Sequence, residues 1–126
     1  VAAIERSKAP KLYICNLMTQ PGETDGLDVT GHVRAIEAQL ATGGITKKVF
    51  TSILAQDELG PSKLVDHYKS KGAEPVLCDR YDLINKGYKV YQASLQGQKV
   101  TPTLRHDPKS LALAIMRFYR EYKKEK

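Results

Sequence analysis

The 126-residue sequence contains no tryptophan, only two cysteines and no long apolar run. A membrane-spanning helix needs about 18 or more consecutive apolar residues, and no segment approaches that length. The sequence also shows no signal-peptide pattern, so we expect a cytoplasmic protein without a membrane span. Cys15 and Cys78 each lie in a short apolar run, far apart in the chain. This pattern predicts two buried, reduced thiols rather than a disulfide or a pair of metal ligands.

Motifs of common catalytic and metal centres are missing as well. No spacing of Cys, His and Asp resembles a zinc site, and no serine stands in the sharp turn of a hydrolase nucleophile. The sequence has neither a Walker phosphate loop nor the glycine fingerprint of dinucleotide-binding proteins. It therefore predicts no metal centre, and its motifs assign no catalytic residue.

The charge balance is basic, with 20 lysines and arginines against 14 acids and a net charge of +6. Such a balance suits an anionic partner, for example a nucleotide or a phosphorylated metabolite. The basic residues are interspersed with acids, however, and the aromatic residues have the spacing of core positions. The sequence therefore argues against nucleic acid as the partner.

Hydrophobic periodicity predicts strands that alternate with helices. The predicted helices cover residues 1–8, residues 28–41 with Asp28 or Thr30 as the cap, residues 60–72, and a last segment that begins at Asp107-Pro108. The predicted strands cover residues 11–16, 49–55, 75–79 and 88–95. This order is typical of an α/β fold with a parallel sheet. We expect a Rossmann-like parallel sheet with flanking helices, in a single α/β region over residues 1–126.

The two longer helices each carry an apolar stripe. In the helix after Asp28, the stripe consists of Val33, Ile36 and Leu40. In the last helix, the core positions are predicted to be Leu111, Ile115, Phe118 and Tyr122. The segment 1–8 resembles a helix already under way, with no cap before it. We therefore expect the chain to begin inside a longer protein.

A polar loop, CNLMTQPGETDG, follows the first predicted strand. In parallel α/β sheets, ligands bind beyond the carboxyl ends of the strands, so this loop is well placed for binding. Gly22 and Gly26 allow the backbone to approach a ligand closely, and the N-terminus of the following helix suits a phosphate. Glu23 and Asp25 would repel a bare phosphate and better suit sugar hydroxyls or a metal ion. The alternative is a solvated connecting loop in which Asp25 accepts hydrogen bonds from its own backbone.

Histidines near this edge are further candidates. His32 lies in the first turn of the helix that follows the loop, and it is either a phosphate or substrate contact or a structural residue. Arg105 and His106 precede the last helix, where they face either the same ligand or solvent. Asp107 is predicted to cap that helix.

Three segments together resemble one protein family: SKAPKLYICNLMTQPGETDGLDVTGHVRAI, YKSKGAEPVLCD and RHDPKSLALAI. The chain resembles the YvcK family, which comprises the bacterial gluconeogenesis factors and CofD-like proteins of the uncharacterised family UPF0052. The resemblance implies the C-terminal portion of a larger CofD-like fold whose glycine-rich nucleotide-binding part would precede Val1. One departure is the turn Ala55-Gln56-Asp57-Glu58, where family members tend to be rich in asparagine.

The resemblance also implies a function. Relatives bind nucleotide sugars of the UDP-N-acetylglucosamine type and regulate carbon metabolism, envelope synthesis and cell shape. The ligand-binding positions it implies are Asn16, Thr19, Gln20, Gly22, Glu23, Thr24 and Asp25. The alternative is a CofD-like 2-phospho-L-lactate transferase of coenzyme F420 biosynthesis, which would use a divalent metal such as Mg²⁺. The sequence does not determine the oligomeric state, and a homo-oligomer is one of the alternatives.

Overall fold

The computed structural model describes residues 2–20, 22–57, 66, 69–95 and 106–125. Its sheet has three parallel strands in the order β1-β2-β3, with Tyr13 opposite Ile53 and Ile53 opposite Val90. The strands are β1 (Leu12–Ile14), β2 (Ser52–Gln56) and β3 (Lys89–Ala93), and the helices are α1 (Ala2–Arg6), α2 (Val29–Thr42), α3 (Arg80–Asn85) and α4 (Pro108–Lys124). The predicted parallel α/β sheet is therefore confirmed.

Aspartate caps fix where three helices begin. Asp28 accepts a hydrogen bond from the Gly31 N–H at 2.7 Å, and Asp107 accepts one from the Ser110 N–H at 2.9 Å. Asp79 caps α3 in the same way. A cap of this kind stabilises a helix by about 1 kcal/mol. The predicted starts of α2 and α4 are confirmed, and α2 ends at Thr42, one residue beyond the predicted end, with Gly43 as its cap.

Side chains of the strands alternate between the two faces of the sheet, and helices cover both faces. On one face the core contains Cys15, Val29, Val33, Ile53, Ala55, Leu83 and Val90, which brings α2 and α3 against the sheet. On the other face α4 packs through Leu111, Ala114 and Ile115 against Leu12, Ile14, Leu54, Tyr91 and Ala93. In α4, Ala114 and Phe118 are buried, while Leu111, Ile115 and Tyr122 are partly buried.

The segment 75–79 is not a strand of this sheet, so that prediction was wrong. It forms an isolated antiparallel bridge between Met18 and Pro75, and the Val76 N–H donates to the Leu17 carbonyl at 2.9 Å. These residues pair with residues 17–18, beyond the end of β1, and so take no part in the ladder of the sheet. As a result Cys78 is not on a strand and is only partly buried, whereas Cys15 is buried; both thiols are free.

Helix α3 was not expected from the sequence. It has only six residues and one buried side chain, Leu83, so it shows no apolar stripe that periodicity could detect. The predicted helix 60–72 lies mostly outside the described residues, although Asp66, Lys69 and Ser70 are helical. In the described part of the chain, no helix is long and apolar enough to cross a membrane.

Candidate functional site

The candidate site is the loop that leaves the carboxyl end of β1. The Cys15 N–H donates to the Leu54 carbonyl at 3.0 Å, so the chain stays attached to β2 for one residue beyond the strand. Cys15 and Val29, at the two ends of the loop, are both buried in the core. The loop is thus a polar segment whose two ends are anchored in the core. It lies at the edge of the sheet where α/β proteins bind ligands.

The first part of the loop is held by a distant segment. Thr19 is only 4% exposed, and its hydroxyl accepts a hydrogen bond from the Glu74 N–H at 2.8 Å. The Thr19 N–H in turn donates to the Glu74 carbonyl at 2.7 Å. Thr19 therefore serves the structure of the loop, and little of its side chain is open to a ligand.

The tip of the loop is a closed turn. Thr24 accepts a hydrogen bond from the Gln20 N–H at 2.6 Å, and Asp25 Oδ2 accepts one from the Gly22 N–H at 2.7 Å. Gly22 and Gly26 have φ angles of 82° and 72°, a conformation that side chains with a Cβ rarely adopt. One carboxylate oxygen of Asp25 thus braces the loop, which agrees with the structural alternative for this residue.

Three predicted site residues keep their side chains available. Asn16, Gln20 and Glu23 are exposed, and their side chains make no hydrogen bond or ion pair within the part of the chain that the structure describes. They offer two amides and one carboxylate at the same loop. Amides both donate and accept hydrogen bonds, and a carboxylate accepts them, so the loop can bind a ligand rich in hydroxyl and amide groups.

The N-terminus of α2 has fewer free N–H groups than the sequence indicated. The Val29 N–H donates to the Leu77 carbonyl at 2.8 Å, and the Gly31 N–H donates to Asp28. Two of the first three N–H groups of the helix are therefore occupied. This helix end is a poor phosphate site, because phosphate binding there depends on free N–H groups.

His32 is buried in the first turn of α2, with 7% of its surface exposed. Its Nδ1 lies 2.8 Å from the Asp28 carbonyl oxygen. Because a carbonyl only accepts, Nδ1 is the donor in this contact. Nε2 has no hydrogen-bond partner among the described residues. His32 is thus a buried residue of the helix start with one unused ring nitrogen.

His106 joins the start of α4 to the end of β1. Its Nε2 lies 3.0 Å from the Cys15 carbonyl oxygen, which places it at the same edge of the sheet as the loop. The neighbouring Asp107 N–H donates to the Leu95 carbonyl at 2.6 Å. Of the two alternatives for His106, the contact with Cys15 corresponds to the edge near the loop, and its role in ligand binding stays a prediction. Arg105 lies outside the described residues.

Two features of this edge were missed by sequence reasoning. The segment 74–77 holds the loop and the start of α2, and Gln56 accepts a hydrogen bond from the Leu95 N–H at 2.6 Å. Gln56 is the last residue of β2. These contacts link residues far apart in sequence, and no local sequence pattern predicts them.

Neither thiol nor metal chemistry is evident at this edge. Burial raises the pKa of Cys15 to about 11 and also raises the pKa of Cys78, so both thiols stay protonated at neutral pH. Over residues 2–20, 22–57, 66, 69–95 and 106–125, no group of three or more His, Cys, Asp or Glu side chains could hold a metal ion. What the described edge offers is hydrogen bonding.

Comparison with known families and structures agrees with this architecture. The sequence model of the family described as 2-phospho-L-lactate transferase CofD matches residues 1–96. A putative gluconeogenesis factor from Thermoanaerobacterium thermosulfurigenes is 39% identical over 114 residues, which cover 90% of this chain and 33% of the relative. The gluconeogenesis factor of Bacillus subtilis is 31% identical over 116 residues, covering 92% of this chain and 35% of the relative.

A solved structure has the same fold. The crystal structure of a member of the UPF0052 family from Bacillus halodurans superposes with a TM-score of 0.78 at 32% identity, covering 91% of this chain and 35% of that protein. The chain spans only 25% of a relative from Nostoc and 36% of one from Thermotoga maritima. Since the family match extends over more than half of the 126 residues, the chain belongs to the CofD family and, within it, to the gluconeogenesis factors of the YvcK type (UPF0052).

Proposed function

We propose that this chain forms one wall of a nucleotide-sugar site, of the UDP-N-acetylglucosamine type, in a protein that regulates carbon metabolism, envelope synthesis and cell shape. The observation that carries the proposal is a group of three exposed polar side chains, Asn16, Gln20 and Glu23, on a braced loop at the carboxyl edge of a parallel sheet. None of the three has a side-chain hydrogen bond within the described part of the chain. The similarity to proteins named gluconeogenesis factors supports the link to carbon metabolism.

The chemistry of the loop suits the sugar or the base of such a ligand better than its diphosphate. Glu23 can accept hydrogen bonds from sugar hydroxyls, and Asn16 and Gln20 can pair with an N-acetyl group or with a base edge. The carboxylates of Glu23 and Asp25 repel phosphate, and the first N–H groups of α2 are largely occupied. We therefore place the diphosphate on a glycine-rich turn outside these 126 residues, so that the site is shared between two parts of the protein.

Calorimetry with UDP-N-acetylglucosamine tests this proposal on the complete gene product. Replacing Glu23 with alanine removes one charge-assisted hydrogen bond, worth about 1.5–3 kcal/mol, and should weaken binding about tenfold to hundredfold. Glu37→Ala is the matched control, since Glu37 is an exposed acid on α2. Equal affinity of the Glu23 and Glu37 variants would show that the loop does not contact the ligand.

A second candidate is the CofD-like transferase, which is favoured by the description of the matching family. It would move a phospholactyl-type group from a nucleotide diphosphate carrier to a deazaflavin alcohol, breaking the diphosphate bond and releasing the nucleoside monophosphate, with the help of Mg²⁺. The described residues do not by themselves bring together three ligands for such an ion. Mass spectrometry of the complete gene product, incubated with both substrates and Mg²⁺, distinguishes the candidates. Transfer product supports the enzyme, whereas nucleotide-sugar binding without product supports the regulator.

A further inference from the structure

A cavity lies at the amino end of the sheet, at the opposite end of the strands from the loop after β1. Its volume is about 320 Å³, and it is lined by residues 7–11, residues 48–52, the first part of β3 and the C-terminal end of α4. The strands start here and end at the candidate ligand loop, so the length of the sheet separates the two sites. The volume is at the lower end of the range for small-molecule sites.

The cavity is strongly basic. Among the described residues, its lining contains four lysines, Lys8, Lys11, Lys48 and Lys89, against a single acid, Glu125. Glu125 pairs with Lys89, which leaves three lysine charges without a carboxylate partner in the lining. A recess with a surplus of one charge concentrates ions of the opposite charge.

The three remaining lysines are not neutralised by their contacts. Lys11 Nζ donates to the Glu5 carbonyl at 3.1 Å. Lys48 Nζ donates to the Lys86 carbonyl and lies 3.9 Å from the centre of the Tyr88 ring, so its ammonium is partly engaged outside the cavity lining. A carbonyl oxygen accepts a hydrogen bond but carries no formal charge. Lys8 has no hydrogen bond or ion pair in the described ranges. The cavity therefore has charge available for an anion, and Lys8 is the lysine most free to move toward it.

Aromatic rings form the other part of the wall: Phe50, Tyr91, Phe118 and Tyr122. Tyr91 meets Phe118 edge to face, with ring centroids 5.3 Å apart, and Phe118 stacks on Tyr122 at 6.4 Å. These contacts hold the rings in place through the packing of α4 on the sheet. A ligand ring that enters the cavity can stack on such rings with favourable energy.

From this combination we propose that the cavity binds an aromatic phosphate ester, with its phosphate near the lysines and its ring against the aromatic wall. The phosphate is a dianion at neutral pH and matches the surplus positive charge. The aromatic ring of the ligand would pack against the aromatic side chains of the cavity, which inorganic phosphate cannot do. This site is separate from the nucleotide-sugar site, because the two lie at opposite ends of the strands.

Phenyl phosphate is the probe, and calorimetry on the complete gene product is the measurement. We expect phenyl phosphate to bind, and to bind at least tenfold more tightly than inorganic phosphate, because only phenyl phosphate uses the ring wall. Lys8→Glu should weaken phenyl phosphate binding at least tenfold. Lys71→Glu is the matched control, since it makes the same charge change at an exposed position outside the cavity and should leave affinity within threefold.

Three results would overturn the proposal. One is an absence of phenyl phosphate binding at millimolar concentrations, which would also be the outcome if another part of the protein fills the cavity. The second is equal affinity for phenyl phosphate and inorganic phosphate. The third is an equal loss of affinity in the Lys8 and Lys71 variants. If Lys8→Glu does not fold, Lys8→Gln should weaken binding at least threefold, and unchanged affinity would have the same meaning.

Discussion

Replacing Thr19 with valine should release the loop from the segment that holds it. The hydroxyl of Thr19 accepts the Glu74 N–H at 2.8 Å, and the side chain is almost fully buried. Valine has nearly the same shape, so the change leaves no large cavity and removes mainly one acceptor. A buried donor that loses its acceptor costs about 1–3 kcal/mol. Because Glu74 itself is exposed and water can partly reach its N–H, we expect about 1–2 kcal/mol.

Amide hydrogen exchange at Glu74 is the most local assay of this change. A loss of about 1–2 kcal/mol corresponds to an exchange rate about 5- to 30-fold faster for that amide. Chemical denaturation of the complete gene product should show a loss of similar size. Thr46→Val is the control, since Thr46 is exposed and its hydroxyl has no partner in the described part of the chain. Equal Glu74 exchange rates in the two variants would refute the view that Thr19 anchors the loop.

Three further predictions follow from contacts and burial in the structure. Asp25→Ala should lower the free energy of unfolding by only about 0.5–1.5 kcal/mol, because the Gly22 N–H that it frees is exposed and can bond to water; a loss above 3 kcal/mol in denaturation experiments would contradict this. Cys15 should resist iodoacetamide at pH 8, where a pKa of about 11 leaves about one thiol in a thousand ionised, while the partly exposed Cys78 reacts first. The Cys15 pKa is 9.0 for an unperturbed thiol and about 11 in the folded state. The free energy of unfolding should therefore fall as the pH rises from 9 to 11, and Cys15→Ala should remove part of that decrease.

Local signals made much of the fold predictable. The helix starts at Asp28 and Asp107 could be predicted from a few neighbouring residues. Each is a short side-chain acceptor followed by an apolar helical stripe or by proline. The alternation of apolar runs with helical stripes predicted the parallel sheet. Helix α3 was not predicted, because its six residues include one buried side chain, Leu83, and so show no periodic hydrophobic pattern.

The site was less predictable than the fold. The position of the loop followed from its place after a strand, and its residue types indicated hydrogen bonding. Which side chains brace the loop and which are free could not be predicted, since the contacts that decide it are long-range. Thr19 bonds to Glu74 across 55 residues, and His106 bonds to Cys15 across 91. Such contacts depend on the assembled sheet rather than on neighbouring residues.

The most direct test of the proposed site is hydrogen–deuterium exchange of the complete gene product with and without UDP-N-acetylglucosamine. If the loop after β1 forms a wall of the site, the ligand should slow exchange in residues 16–28. Exchange in residues 43–48, which lie between α2 and β2 and away from that edge, should not change. Calorimetric binding of the same ligand with unchanged exchange in residues 16–28 would contradict the assignment of this loop to the ligand site.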